Sequence, residues 1–351
     1  MKTASLPAAL NVTGVAAAMA LLYVFRSMLW PLAMAVVLAI LINALVRIIV
    51  RVWPSAGRLT VMVLTSLVVG ALIIGGVVLV GSGTAELASQ LPQLAQRLNG
   101  LLEQGGRLVH LEGKLSLTSV VARLDLPSLA TKVVTGLQGA LSGILLTVLF
   151  LIFLMSSRHL IRAKLEIIAD SQHASGMLTV LERTIRGVET YIWIQTATGL
   201  MIALASGVIM ALAGLNNTLF WILALFLLSY IPVLGVGIGS LAPALFALLQ
   251  FPTVWPALVI FLGIQIVSFL VGNLVLPKMQ AESQNIDPTV GLLVVGVWSV
   301  LWGIPGAFLA VPLTLALMLQ LAQFESLRWI AVMISNNGHP IIETSGDKSA
   351  A

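Results

Sequence analysis

The chain has 351 residues, of which 59% are hydrophobic and only 9% charged, with a mean hydropathy of +1.07. Soluble domains carry about 25% charged residues, so this composition points to a polytopic membrane protein and excludes a soluble enzyme. There is no cysteine, so disulfides and thiolate metal sites are excluded, and the net charge of +5 comes with no basic tract dense enough for nucleic acid.

A membrane span needs roughly 20 apolar residues. The first predicted span covers about 8–25 and runs straight into a second at about 29–50, so it reads as a retained span rather than a leader. Trp30 stands at the start of the second as an interfacial ring. A third, about 59–81, contains Gly70, Gly75, Gly76 and Gly81, small residues that let helices approach closely. These elements form an N-terminal transmembrane block, 1–81. An extracytoplasmic amphipathic arm follows at 82–135. Leu87, Leu91, Leu94, Leu98 and Leu101 recur in it at steps of four and three, Gly105 and Gly106 end that helix, and a short helical patch is expected at 128–134.

The fourth span lies within 136–157. An amphipathic segment at 158–190 carries Arg158, Arg162, Lys164, Arg183 and Arg186. The transport core, 191–324, opens with a fifth span at about 192–213. It continues through a broken hairpin at 218–250, a span at about 254–276, a polar connector at 277–288 and a second hairpin at 289–323. Residues 325–351 form a polar tail. The fold class is all-α: about five full transmembrane helices plus two broken or re-entrant helical hairpins, with an amphipathic extramembrane arm. Basic residues favour the cytoplasmic side, and Arg47, Arg51 and Arg58 share one loop with no acid. Placing that loop inside puts both termini and 158–190 in the cytoplasm and the arm outside.

The two hairpins share a grammar. Pro232, Gly235, Gly237, Gly239 and Pro243 interrupt the first, and Gly303, Pro305, Gly306 and Pro312 the second. Gly239 and Gly306 each precede a Leu-Ala pair, a proline and an apolar helix. Paired Pro/Gly-interrupted segments point to a transporter binding site, because broken helices present oriented backbone groups at membrane depth. A plainer reading is that Gly and Pro merely kink membrane helices.

Between the hairpins, Gln265, Ser268 and Gly272 fall on one helical face, with Asn273 adjoining. Tyr230 stands at the entry to the first hairpin and either contacts a solute or anchors the chain. Tyr230, Gln265, Ser268 and Asn273 are the candidate substrate-binding residues; interhelical hydrogen bonding is the plainer role for the amides and Ser268. Gln195 reads as structural. Asp287 and Glu189 are the candidate ion-linked acids. The plainer roles are a helix cap for Asp287 and a pair with Arg186, one turn back, for Glu189. No ionisable residue falls near the centre of an apolar span, and all four histidines lie outside the spans. No Walker, HExxH or metal-cluster pattern occurs, so no catalytic residue, metal or cofactor is expected.

The C-terminal half resembles the autoinducer-2 exporter (AI-2E) family of bacterial membrane transporters. The resemblance is carried by Glu189-Thr-Tyr191 with Gln195, Tyr230-Ile-Pro232-Val-Leu-Gly235, Gly272-Asn273-Leu-Val-Leu-Pro277-Lys278, Asp287-Pro288, and Gly303-Ile-Pro305-Gly306 through Ala310-Val-Pro312-Leu. It implies an inner-membrane exporter of a small polar solute, with autoinducer-2 as the candidate, working as a homo-oligomer for which a pentamer is the family pattern. Sodium/proton antiport, also assigned within the family, is the alternative. A non-transporting scaffold that uses the 82–135 arm is an alternative of another class. The sequence departs from the family pattern at Val271, where an acid is usual, and at Gln280-Ala281, where a glycine is usual. The expected partners are the lipid bilayer and a small-molecule solute, with no nucleic acid.

Overall fold

A computed structural model describes residues 5–55, 57–108, 139, 142–157, 174–231, 234–280 and 286–339. Every regular element among them is helical. The elements are α1 (Ser5–Val24), α2 (Arg26–Val52), α3 (Arg58–Leu108), α4 (Ser142–Ser157), α5 (Ala174–Leu212), α6 (Thr218–Ser229), α7 (Leu234–Gln250), α8 (Trp255–Leu270), a π-helical turn (Val271–Val275), α9 (Leu276–Gln280), α10 (Pro288–Leu321) and α11 (Arg328–Ile334). Five stretches have the length and apolar composition to cross a membrane: Arg26–Val52, Leu59–Gly83, Thr179–Leu212, Trp255–Met279 and Thr289–Leu321, the last only as the summed length of two arms either side of Gly303. The protein is an all-α, multi-pass membrane protein. Helices are the open-ended structures that satisfy every backbone group inside a bilayer. Leu64, Leu67 and Leu72 of α3 stand 61–70% exposed, as a lipid-facing surface requires.

Several helices run through boundaries that composition suggested. The third span and the Leu-rich arm are one helix of 51 residues, α3, about 77 Å long. Gly105 and Gly106 lie inside it rather than ending it, because two glycines cost a helix only about 1 kcal/mol each. The patch predicted at 128–134 lies outside the described residues. The described part of the basic segment, 174–190, and the fifth span likewise share one helix of 39 residues, α5, while Arg158, Arg162 and Lys164 lie outside the described residues. The polar connector begins only after Gln280, since helix continues from Trp255 through the π-turn to that residue.

The chain divides into two compact units. The first comprises 1–69, 143–194 and 279–351. One of its cores gathers Val188, Tyr191, Trp302, Leu309, Leu315 and Met318 from α5 and α10. A second gathers Ala35, Ala39, Ile42 and Val46 of α2 with Val61 of α3 and Leu151 of α4. Gly143 packs against Trp30 so closely that a Cβ would overlap the indole, so this ring is packed into the unit instead of standing free at an interface. Trp302 Nε1 donates to the Leu22 carbonyl at 3.0 Å, fastening α1 to α10.

The second unit comprises 70–142 and 195–278. Its core holds Met210, Phe220, Trp221, Leu225, Phe246 and Ile264 from α5 to α8. α5 ends in a Schellman turn: Gly214 sits at φ 74°, and the Leu215 N–H reaches the Met210 carbonyl at 2.9 Å. The extension of α3 is latched to this unit twice. Asn217 Nδ2 donates to Glu86 Oε2 at 2.7 Å, and the Arg97 guanidinium donates to the carbonyls of Leu249 and Phe251 at the C-terminal end of α7. A cation there satisfies free carbonyls and complements the helix dipole.

Candidate functional site

Each unit contains one helix pair that folds back on itself, at 218–250 and at 288–321. In the first, α6 has 12 residues and spans about 18 Å, short of the roughly 30 Å hydrocarbon core. α6 and α7 fold back on each other around a break that follows Ser229. Gly235 lies against the Leu228 carbonyl and Gly239 against the Leu225 side chain, each too close for a Cβ. Pro232 lies outside the described residues. Gly237 has open space around it and shapes nothing by contact.

The second hairpin is hidden inside α10. Gly303, at φ 67° and ψ −145°, reverses the chain there, and the arms are 288–302 and 304–321. Trp298 Nε1 donates to Thr314 Oγ1 at 3.1 Å, although the two residues stand 16 apart and a straight helix would separate them by about 24 Å. Gly306 abuts the Trp298 carbonyl. The glycine equivalent to Gly306 is thus Gly235, whereas the sequence pattern aligned Gly239 with it. The Leu-Ala-Pro text misleads because backbone approach, not the following helix, sets the correspondence. Pro243 and Pro312 are both buried inside the second arms.

The α6 break releases backbone acceptors, and α5 satisfies them. Gln195 Nε2 donates to the Ser229 carbonyl, and the Thr196 and Tyr230 hydroxyls share a hydrogen bond at 2.6 Å. Gln195 is therefore structural, as its position suggested. Tyr230 is buried, packed edge-on against Phe226 at 5.6 Å, and its hydroxyl is engaged. Gln265 and Ser268 sit inside the second unit on α8. Ser268 is buried, and Gln265 Oε1 is buried with no hydrogen-bond partner. Asn273 is exposed, and its Nδ2 donates to the Phe269 carbonyl one turn back. The structure thus gathers Gln265 and Ser268 on one stretch and leaves Asn273 apart.

Sequence reasoning missed the π-turn at Val271–Val275, where the Leu276 N–H reaches back five residues to the Val271 carbonyl. Its signal was Pro277. Proline has no N–H to return to the Asn273 carbonyl, and its ring crowds that oxygen, so the turn before it widens. Two further polar atoms also escaped notice. Ser206 Oγ and Trp221 Nε1 are buried and, like Gln265 Oε1, have no partner.

In the first unit both candidate acids are engaged. Glu189 pairs with Arg47, 142 residues away, and not with Arg186. The guanidinium distant in sequence wins over the neighbour one turn back because α2 and α5 bring the two groups into direct contact. Arg47, Glu182, Ile185, Arg186, Glu189 and Thr190 line a cavity of about 500 Å³. Asp287 caps α10: its Oδ1 accepts from the N–H groups of Thr289 at 2.7 Å and Val290 at 3.2 Å. Those backbone donors, Val290 foremost, hold its carboxyl below the usual value of 3.8. The Asp287 N–H in turn donates to the Ile334 carbonyl at 3.0 Å, fixing α11 to the start of α10.

Hairpins shorten and break helices, while the unpaired polar atoms are uncharged. Residues 13–324 match the profile of the AI-2E family transporter. The AI-2 transport protein TqsA of Escherichia coli (strain K12) is 26% identical over 313 residues, which cover 87% of this chain and 89% of the relative. YhhT of the same strain is 26% identical over 290 residues, 81% of each chain. The chain belongs to the AI-2E family and is a membrane transporter.

Proposed function

We propose that this transporter exports a small, neutral, hydroxyl-bearing solute across a bacterial inner membrane, and that autoinducer-2 is the first candidate. The observation that carries the reading is Gln265: its Oε1 is buried mid-span without a partner, and no charge accompanies it. A buried polar atom without a hydrogen bond costs about 1–3 kcal/mol, so one that persists serves as a contact for something that arrives. The name of the Escherichia coli relative supports autoinducer-2. The two broken hairpins support a core in which helix pairs move within the bilayer, re-entering from the side they left. The basic residues of 47–58 and 158–190 support a cytoplasmic placement for both termini, and the family resemblance supports a homo-oligomer. Exchange of sodium for protons calls for a free acid, whereas Glu189 is bound to Arg47 and Asp287 to backbone.

The test is efflux from vesicles at equal protein abundance. Gln265→Ala should lower autoinducer-2 efflux about tenfold, the worth of one such hydrogen bond. Asn273→Ala, whose amide is spent on Phe269, should leave it within about twofold. Unchanged efflux in the Gln265 variant would sink the site. A sodium-dependent collapse of an imposed proton gradient would instead establish antiport.

A further inference from the structure

Among the described residues of the second unit, three buried side-chain polar atoms without a partner, Ser206 Oγ, Trp221 Nε1 and Gln265 Oε1, stand at one depth. Gly207 of α5 packs on Ile222 of α6, and Gly199 packs on Ser229, so the two helices are antiparallel and Trp221 is level with about residue 208. α6 and α7 form the antiparallel hairpin, and α8 returns against α7 after the short link 251–254. α8 therefore runs antiparallel to α5 as well. Gly263 of α8 packs on Ile209 of α5, which sets Gln265 level with about residue 207. Ser206, Trp221 and Gln265 thus fall within a single helical turn, about 5 Å of depth. Ser206 is wholly buried and Trp221 is 4% exposed. The surrounding core is apolar, with Met210, Leu225, Phe246, Ile260 and Ile264 around this layer.

Each orphan atom alone would be a curiosity. Three at one level in a core of otherwise apolar side chains are a pattern, since buried polar groups are almost always bonded. Their chemistry is also selective. The Trp221 indole donates only, the Gln265 carbonyl oxygen accepts only, and the Ser206 hydroxyl does both. A carboxylate satisfies the first and third but sets acceptor against acceptor at Gln265. An ammonium satisfies the second and third but sets donor against donor at Trp221. A hydroxyl group can serve all three, and a solute with two or three of them does so without carrying a charge into an apolar layer. We infer that Ser206 and Trp221 join Gln265 in one binding layer for a neutral polyhydroxylated solute. This deepens the transport reading and rests on it for the layer's purpose, while the binding itself is measurable without transport.

The experiment uses the full-length protein in detergent with radiolabelled xylitol and erythritol as probes, and erythronate as the charged isostere. Ser206→Ala, Trp221→Phe and Gln265→Leu each remove one orphan atom and keep an apolar shape. The expected result is polyol binding that weakens about tenfold in each variant, while the unfolding temperature holds or rises because an unsatisfied group has gone. Erythronate should compete poorly. Polyol binding unchanged in all three variants overturns the inference and leaves structural water as the partner of these atoms. Wild-type protein that binds no polyol, or erythronate binding as tightly as erythritol, overturns it too. Vesicle efflux separates the two readings: efflux without polyol binding removes the layer and keeps the transporter, whereas polyol binding without efflux of any solute keeps the layer and removes export.

Discussion

The two hairpins make the same turn with different polar economies. Both set a glycine against a carbonyl of the preceding arm, Gly235 on Leu228 and Gly306 on Trp298. Both carry a tryptophan on the first arm. In the second hairpin the indole N–H of Trp298 finds Thr314 across the arms. In the first, Trp221 lies 5.7 Å from the Phe246 ring across the arms, and its N–H finds nothing. Both indole N–H groups of the second hairpin are engaged, Trp298 on Thr314 and Trp302 on Leu22, while that of Trp221 is not. That contrast is the one the proposed binding layer builds on, with Trp221 in the first hairpin and the Trp298–Thr314 bond in the second.

The shared glycine device is the strongest point at which to break the comparison. Gly306→Ala and Gly235→Ala each drive a Cβ into backbone, which cannot yield as a side-chain tip does. Each should cost about 3 kcal/mol or more, read as lost folded protein or a collapsed unfolding temperature in detergent. Gly237→Ala is the control. It is exposed, has open space and lies within a helix, so it should be neutral or gain about 0.5–1 kcal/mol. A tolerated Gly235→Ala beside a ruinous Gly306→Ala would dissolve the equivalence of the two turns.

Gly303 sharpens the difference between the turns. It has no neighbour within reach of a Cβ, so a substitution there is opposed by backbone strain alone. At φ 67° and ψ −145° the region is nearly closed to any residue but glycine. Gly303→Ala should cost about 1–3 kcal/mol in the same unfolding assay, less than the packed glycines. A loss as large as that of Gly306→Ala would mean that the reversal is supported by contacts rather than by conformation.

The hairpins were legible in the sequence because proline and glycine write backbone constraints directly into text. The capping of α10 by Asp287 was legible for the same local reason. The correspondence of Gly235 with Gly306 was not, because it depends on which carbonyl lies across the turn. The Arg47–Glu189 pair joins residues 142 apart, and nothing local prefers it to Arg186. Ser206 and Trp221 read as ordinary residues of apolar helices. Their significance lies in what fails to meet them, which only packing reveals. Gln265 was legible because an amide in the middle of a span is costly wherever it points.

The Trp298–Thr314 bond gives a smaller effect and a direct test of the polar contrast. Trp298→Phe keeps a ring tilted against Trp302, whose centroid lies 5.0 Å away, and removes the N–H. It leaves Thr314, which is buried, without its donor. A loss of about 1 kcal/mol is expected, against no loss or a small gain for Trp221→Phe. The opposite ordering in unfolding temperature would show that the Trp221 indole is satisfied within the fold and that the two hairpins do not differ as described.

The smallest effect separates the hairpins at their entrances. α10 begins at a charged cap, Asp287, whereas α6 begins at Asn217, whose side chain makes no cap bond. The backbone donors of Thr289 and Val290 depress the Asp287 carboxyl below 3.8 in the folded protein. A group with a depressed folded value contributes fully above its unfolded value, and that contribution fades as pH falls through the lower folded one. Asp287→Asn still caps but does not titrate, so it should flatten this part of the stability profile as pH falls through and below the ordinary carboxylate range. The wild-type unfolding temperature should fall slightly more steeply over the same window. Parallel profiles for the two proteins would mean that the cap opens before it titrates, leaving α10 held at its start by the Asp287–Ile334 backbone bond alone.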